Sequence, residues 1–323
     1  MKLVFRSSLL SFVLLASAAS FAQHLRASVP VGTAPTGIAV NPATNLVYVS
    51  NTGSNTVSVI DGATNAVIKT IPVGHQPTTV VLYAPANLIY AYNSADSTLS
   101  IIDGNTNSVQ NTLPTLFPFE AVAQLGQSKY MYITDLAANQ VHIVDITTFK
   151  KIGDVTVASP SAITMDSGAK LAYVTSANSS IVVIDTTSHL VVNTFNITNT
   201  TIGAISVDSG DKVLYAATAP VGSSNTSVSV LDSTSGAVLG TSTPLGTVND
   251  VRALLGTHKA AASGGKFAGQ DVHSVIFISD VTHDVAGLVG NVGKDPSRIG
   301  WNPTTKVLYT DNLNSNDVAV VGN

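Results

Sequence analysis

The 323-residue sequence contains no cysteine. That excludes disulfide frameworks, thiolate zinc sites, attached c-type haem and thiol nucleophiles. Charge is scarce too: Asp, Glu, Lys and Arg make up 11% of the chain, against about 25% in an ordinary soluble domain. Glu120 is the only glutamate. No phosphate-cradling glycine motif, nucleophile elbow or His-Glu-x-x-His metal motif occurs, and no segment carries a helix-length hydrophobic period. What remains is 45% apolar and otherwise rich in Thr, Ser, Asn and Gly, too hydrophobic and too weakly charged for a disordered chain. With 15 basic residues, 19 acidic residues and a pI near 5.9, the balance argues against a large phosphate-binding surface.

The first 22 residues read as targeting. Lys2 and Arg6 give a positive start, Leu9 to Ala19 form a short apolar core, and Ser20-Phe21-Ala22 is a small-x-small cleavage site. The apolar core is shorter than a bilayer-spanning helix requires. The expectation is a signal peptide over 1–22 and a mature chain over 23–323, exported to the periplasm, cell surface or medium, with no membrane span after cleavage. Removing Lys2 and Arg6 from the 15 basic residues leaves 13 against 19 acidic, a net charge of −6.

The mature chain is a repeat. A short apolar run ending in Asp recurs at Asp61, Asp103, Asp145, Asp185, Asp232 and Asp280, and ends at Gly322 with the Asp replaced. A second column is tyrosine: Tyr48, Tyr90, Tyr132, Tyr173, Tyr215 and Tyr309, with Ala262 read into it in the sixth unit. Thirteen residues before each Tyr stands Pro35, Pro77, Pro160 or Pro296, with Phe119 and Ile202 as departures. Each of the seven units, about 43 residues long, holds four short β-branched or aromatic runs separated by turn residues. Four strands in that length make a β-propeller blade. The last unit stops after its third strand, while Leu25 to Val31 matches a fourth strand. The expectation is an all-β, seven-bladed propeller of four antiparallel strands per blade, its ring closed by the N-terminal strand 25–31, which removes the open sheet edges of a linear stack.

At the second strands the sequence reads Tyr48-Val49-Ser50-Asn51, Tyr173-Val174-Thr175-Ser176 and Tyr309-Thr310-Asp311-Asn312, with Val-Gly-x-x-Pro before the first strand. This resembles the YVTN β-propeller repeat family, which includes surface-layer proteins and periplasmic YncE-like proteins. The resemblance implies an extracytoplasmic binding role more than a reaction.

The six aspartates fall in turns between third and fourth strands, where a carboxylate accepts from backbone N–H groups two residues on, so the column reads as structural. Asp103 to Asn107 imitates the start of a calcium loop but has Ser108 at the sixth place and Pro114 at the twelfth, where Gly and a bidentate Glu belong. Loops joining fourth to first and second to third strands share one face, here called upper. His75 and His273 fall on it, His189 and His283 on the lower face, His142 within a strand and His24 before the ring. Dispersed histidines do not make a coordination shell, so no metal and no cofactor is expected.

The upper face carries the candidate site. Glu120, Arg298 and Arg252 converge on the channel mouth with His75 nearby, and the longest second-to-third connections lie in blades five (Thr218 to Thr226) and six (Gly264 to Gln270, including Lys266 and Phe267). Function in repeat folds often sits in such insertions. The expected role is capture of a protein or glycan partner by this face. A lactonase-like hydrolase using Glu120 is one alternative, and a single-stranded nucleic-acid binder of YncE-like type another; the net charge weighs against the latter.

Overall fold

The computed structural model describes residues 23–115, 117–118, 121–124, 128–177, 179–267 and 270–322. Seven four-stranded antiparallel sheets follow one another along the chain. First strands touch first strands of the neighbouring blades, and blade seven returns to blade one, so the sheets form a closed ring. Blade one is representative, with strands Pro35–Asn41, Leu46–Asn51, Thr56–Asp61 and Ala66–Pro72 from the channel outward. Its two middle strands are covered on both faces by adjacent blades. Their sequences are therefore near-continuous apolar runs, Val47-Tyr48-Val49 and Val57 to Ile60, and do not alternate. The outermost strand is exposed along most of its length and carries Lys69, which protects the edge from pairing with another chain.

The N-terminal strand His24–Pro30 is the outer strand of blade seven, running antiparallel to Asp317–Gly322 from His24 opposite Gly322 to Pro30 opposite Asp317. Residues 1–22, which carry the expected signal peptide, lie outside the described residues.

The Asp column makes the turns expected of it in five blades. Asp61, Asp103, Asp145, Asp185 and Asp232 each accept the N–H two residues on through Oδ1, at 2.8–3.0 Å. A bulge between third and fourth strands precedes each turn, and a residue at positive φ closes it: Asn65, Asn107, Phe149, His189 and Gly236. Blade six departs from the sequence reading by one residue. There the bulge lies between Phe277 and Ile278, Ser279 Oγ accepts the Val281 and Thr282 N–H groups, and His283 takes the positive φ. Ser279, not Asp280, is therefore the turn residue, and Ala261, which faces Phe277, holds the tyrosine place instead of Ala262. The Asp280 carboxylate is freed from turn-making.

Each tyrosine of the column packs in the seam between its own blade and the next, as Tyr48 does among Val57, Val59 and Ile71 of blade one and Val80, Ile89 and Ile102 of blade two. In three of them the hydroxyl bonds to the third-to-fourth turn of that next blade: Tyr48 donates to Asn107 Oδ1 at 2.9 Å, Tyr173 to the Ser233 carbonyl at 2.9 Å, and Tyr132 meets His189 Nδ1 at 2.7 Å. Burial pushes the Tyr48, Tyr90 and Tyr173 phenols up to about 12, so they remain neutral donors. The seam between blades six and seven lacks the tyrosine, and Trp301 and Phe277 fill the volume instead.

Candidate functional site: the channel mouth

The first strands enclose a channel of about 510 Å³. Most of its wall is small or apolar, with Gly37, Ala39, Ala121, Ala162 and Ala204 among the lining residues, and its charged side chains among the described residues are Asp250, Arg252 and Arg298. Arg252 lies on the first strand of blade six, Asp250–Leu254, and Arg298 on that of blade seven, Pro296–Asn302. Both arginines are exposed to the channel, and neither guanidinium has a hydrogen bond or ion pair among the described residues.

Two aspartates fix the backbone that carries Arg298. Asp311 Oδ1 accepts the Arg298 N–H at 2.6 Å, and Asp250 Oδ2, from the neighbouring blade, accepts the Ile299 N–H at 2.9 Å. The first contact varies a repeated device. Two residues after the column tyrosine, Thr134 and Thr175 use their hydroxyls to accept the equivalent N–H groups of Ala121 and Ala162, at 2.9 and 2.8 Å. In blade seven a carboxylate, Asp311, replaces the hydroxyl. It is fully buried, and its Oδ2 has no hydrogen-bond partner among the described residues. Burial pushes its carboxyl up to about 7, against the pull of the Arg298 N–H and guanidinium, and the Asp250 charge adds to the rise. Burial likewise raises Asp250 above its ordinary range, with Arg298 opposing. A carboxyl that is hard to ionise thus stands behind two guanidiniums that have no hydrogen bond or ion pair among the described residues. Such a mouth attracts an anionic group.

Arg252 and Arg298 both line the channel. His75 does not join them. It is exposed on the rim, where its N–H and Nδ1 both bind the Asp96 carboxylate, at 2.6 and 2.8 Å, and so tie together two loops of the upper face. The His75 N–H, and then its ring, hold Asp96 below the usual carboxylate range. Glu120 lies outside the described residues. Lys266 and Phe267 have their backbone on the second strand of blade six, Lys259–Phe267, and their side chains lie outside the described residues.

The insertion in blade six is not a loop. Its second and third strands, Lys259–Phe267 and Gln270–Ser279, continue as a paired ribbon in which Lys266 faces Asp271 and Phe267 faces Gln270, with a bulge between Gly264 and Lys266. At the bulge root a side chain on Gly264 would begin 2.1 Å from the Thr247 carbonyl oxygen, so only glycine fits there. In blade five the second strand runs on to Pro220, which pairs with Thr200, and Val221 beyond it is exposed. Two adjacent β-extensions therefore rise beside the mouth. Asp250 and Asp311 were missed as site residues. The signal for Asp311 was the one carboxylate in a column that otherwise holds Ser50, Tyr92, Thr134, Thr175, Ala217 and Ser263.

Structural comparison finds hydrazine synthase from Kuenenia stuttgartiensis at a TM-score of 0.75 and 16% identity, covering 90% of this chain and 96% of that one. The β-propeller domain of Cps50 (Swd1) from Myceliophteria thermophila aligns with a TM-score of 0.74 and 12% identity, over 93% of this chain and 99% of that one. The fold is a seven-bladed β-propeller. At these identities the likeness speaks for the propeller alone. No family model and no curated protein sequence matches this chain.

Proposed function

We propose that this propeller is a YVTN-type, YncE-like binding protein of the periplasm or cell surface. It captures a protein or glycan partner on its upper face, with an acidic group of that partner entering the channel mouth. The observation that carries this reading is the pair Arg252 and Arg298, exposed to a channel of about 510 Å³ with no ion-pair partner among the described residues. The ribbon of blade six and the extension of blade five supply the rim against which a large partner would lie. A propeller also suits a protein-interaction role on general grounds, because its loops are displayed on a rigid scaffold. Export rests on the N-terminal pattern over 1–22, and the YVTN-type kinship on the runs Tyr48 to Asn51, Tyr173 to Ser176 and Tyr309 to Asn312.

The test is an array of acidic and neutral glycans and peptides probed with the mature protein and with the Arg252→Ala/Arg298→Ala double variant. Binding to acidic probes that falls at least ten-fold in the double variant supports the reading. Binding that ignores the substitution, or follows single-stranded DNA at physiological salt, overturns it. A hydrolase is the second reading, favoured by Asp250, a channel-lining carboxyl with a raised pKa beside Arg298. Its mark is esterase or lactonase turnover that collapses by about 10²–10⁴-fold in Asp250→Asn or Glu120→Gln with the fold intact.

A further inference from the structure

On the lower face, the seam between blades five and six differs in kind from the other seams. In two other places a pair of amides spans the seam. Asn41 donates to Asn87 Oδ1, and Asn302 to Asn45 Oδ1, both at 2.8 Å, joining the end of one blade's first strand to the next blade's first turn. At the matching positions between blades five and six stand Asp208 and His258. Asp211, from the same turn as Asp208, and Asp280, freed by the one-residue shift of its turn, complete the cluster. His258 Nδ1 lies 3.0 Å from Asp211 Oδ2 and 3.4 Å from Asp280 Oδ2. One ligand atom from each of the three residues falls within 4.8 Å of the other two.

Behind this triad lie polar atoms with no hydrogen-bond partner among the described residues: the Tyr215 hydroxyl, Asp280 Oδ1 and Asp208 Oδ2. Tyr215 is 0% exposed, and the charges acting on its hydroxyl most strongly are Asp280, Asp208 and Asp211, in that order. The hydroxyls of Tyr48, Tyr132 and Tyr173 find a partner in the next blade's turn, and that of Tyr309, like that of Tyr215, has none among the described residues but faces a single carboxylate, Asp61. The Tyr215 hydroxyl meets carboxylates and is left unsatisfied, which is costly in a buried site. Two carboxylates facing each other across one imidazole need a positive charge between them. Burial keeps the Asp211 carboxyl above its ordinary range in spite of His258 beside it.

We propose that Asp211, His258 and Asp280 form a binding site for a divalent cation of the zinc class, with the Tyr215 hydroxyl as its inner oxygen, which staples blade five to blade six on the lower face. The distances fit such an ion. Tetrahedral zinc bonds of about 2.0–2.2 Å to carboxylate oxygen and imidazole nitrogen place neighbouring ligand atoms about 3.3–3.6 Å apart, which the His258–Asp280 pair meets at 3.4 Å and the His258–Asp211 pair, at 3.0 Å, reaches by opening a few tenths of an ångström. The mixed carboxylate and imidazole donors suit zinc or manganese better than calcium, which takes six to eight oxygens. His258 is 67% exposed on the solvent side, which leaves an entry path and room for a water ligand. This site lies on the face opposite the channel mouth and is independent of the partner-binding reading.

The test is calorimetry of chelator-treated mature protein with Zn²⁺, Mn²⁺ and Ca²⁺ as separate probes, together with thermal melting. The expected result is one Zn²⁺ per chain, a higher melting temperature with Zn²⁺ than without, and at least ten-fold weaker binding in both His258→Ala and Asp211→Asn. His258→Ala changes an exposed side chain and leaves the fold intact, and circular dichroism of each variant checks this. His24→Ala and His283→Ala should bind Zn²⁺ as the parent does. No saturable Zn²⁺ binding, or binding unaffected by His258→Ala, overturns the proposal. Preference for Ca²⁺ over Zn²⁺ overturns the assignment of the ion class.

Discussion

Removing the N-terminal strand tests ring closure directly. In a chain beginning at Thr33, the third strand of blade seven loses its outer partner from Gly322 to Asp317. About four ladder hydrogen bonds at ~1 kcal/mol each disappear. Val29, now 3% exposed within the cluster of Val318 and Val320, is lost from the core, at about 1.5–3 kcal/mol for a fully buried valine. The seam with blade one loosens as well, because Val31, whose N–H donates to the Asn316 carbonyl at 3.0 Å, packs against the cluster that blades seven and one share. The sum, about 6 kcal/mol, is a large share of a total stability of about 5–15 kcal/mol. For a domain of this size it amounts to a fall of about 10 °C or more in melting temperature. The assay is urea and thermal unfolding followed by circular dichroism, comparing chains that begin at Gln23 and at Thr33. Melting of the shorter chain within two or three degrees of the longer one would refute the argument that His24–Pro30 closes the ring.

Other outcomes follow from particular residues. Because Asp311 ionises in the folded state only near pH 7, against an ordinary 3.8, the folded chain holds a proton that the unfolded chain has released. Stability should therefore fall as pH rises from about 4 to about 7, by up to about 4 kcal/mol, and level off above. Asp311→Asn should flatten that slope, and an unchanged slope in urea titrations across this range counts against the burial account. Asp145→Ala removes the acceptor of the Thr147 and Thr148 N–H groups and the 2.7 Å pair with Lys129, and should cost about 0.5–2 kcal/mol by analogy with helix caps, with partner binding unchanged on the array. Hydrogen bonds from Lys129 and Thr147 hold the Asp145 carboxyl well below the usual range, so its share of stability is present above pH 4 and fades as pH falls. Tyr173→Phe should cost about 1 kcal/mol for the lost bond to Ser233, whereas Tyr215→Phe should be neutral or stabilising in metal-free protein, since its hydroxyl has no partner there; equal losses for the two would contradict the seam description.

The ring was legible because its two marker columns are mechanical requirements. A turn needs Asp145 or Asp232 to hold its N–H groups, and a seam needs Tyr48 or Tyr173 to fill its volume and reach the next blade. Where another residue meets the same requirement the pattern slips, and Ser279 misled the reading by one place because an aspartate follows it. The blade-six insertion was visible as length but not as shape, since pairing of Lys266 with Asp271 extends a ribbon that composition alone does not distinguish from a loop. At the mouth, Arg252 and Arg298 could be placed by counting from the proline column. Asp311 could not, because its role depends on which N–H its carboxylate meets. His258 escaped notice for a similar reason: its turn position holds Asn45 in blade one and Lys212 in blade five, and its chemistry comes from Asp211 and Asp280, distant in sequence.

Trp301 is the chain's only tryptophan, and it lies in the one seam that lacks a tyrosine, where it also lines the channel. Intrinsic emission excited at the indole band therefore reports the blade six–seven contact and not the ring at large. Comparison of that signal with far-ultraviolet dichroism, which averages over all seven sheets, distinguishes a ring that melts as one unit from a ring that parts first at this seam. The same indole makes the channel self-reporting, since a guest near Arg298 changes the surroundings of the chromophore without any label.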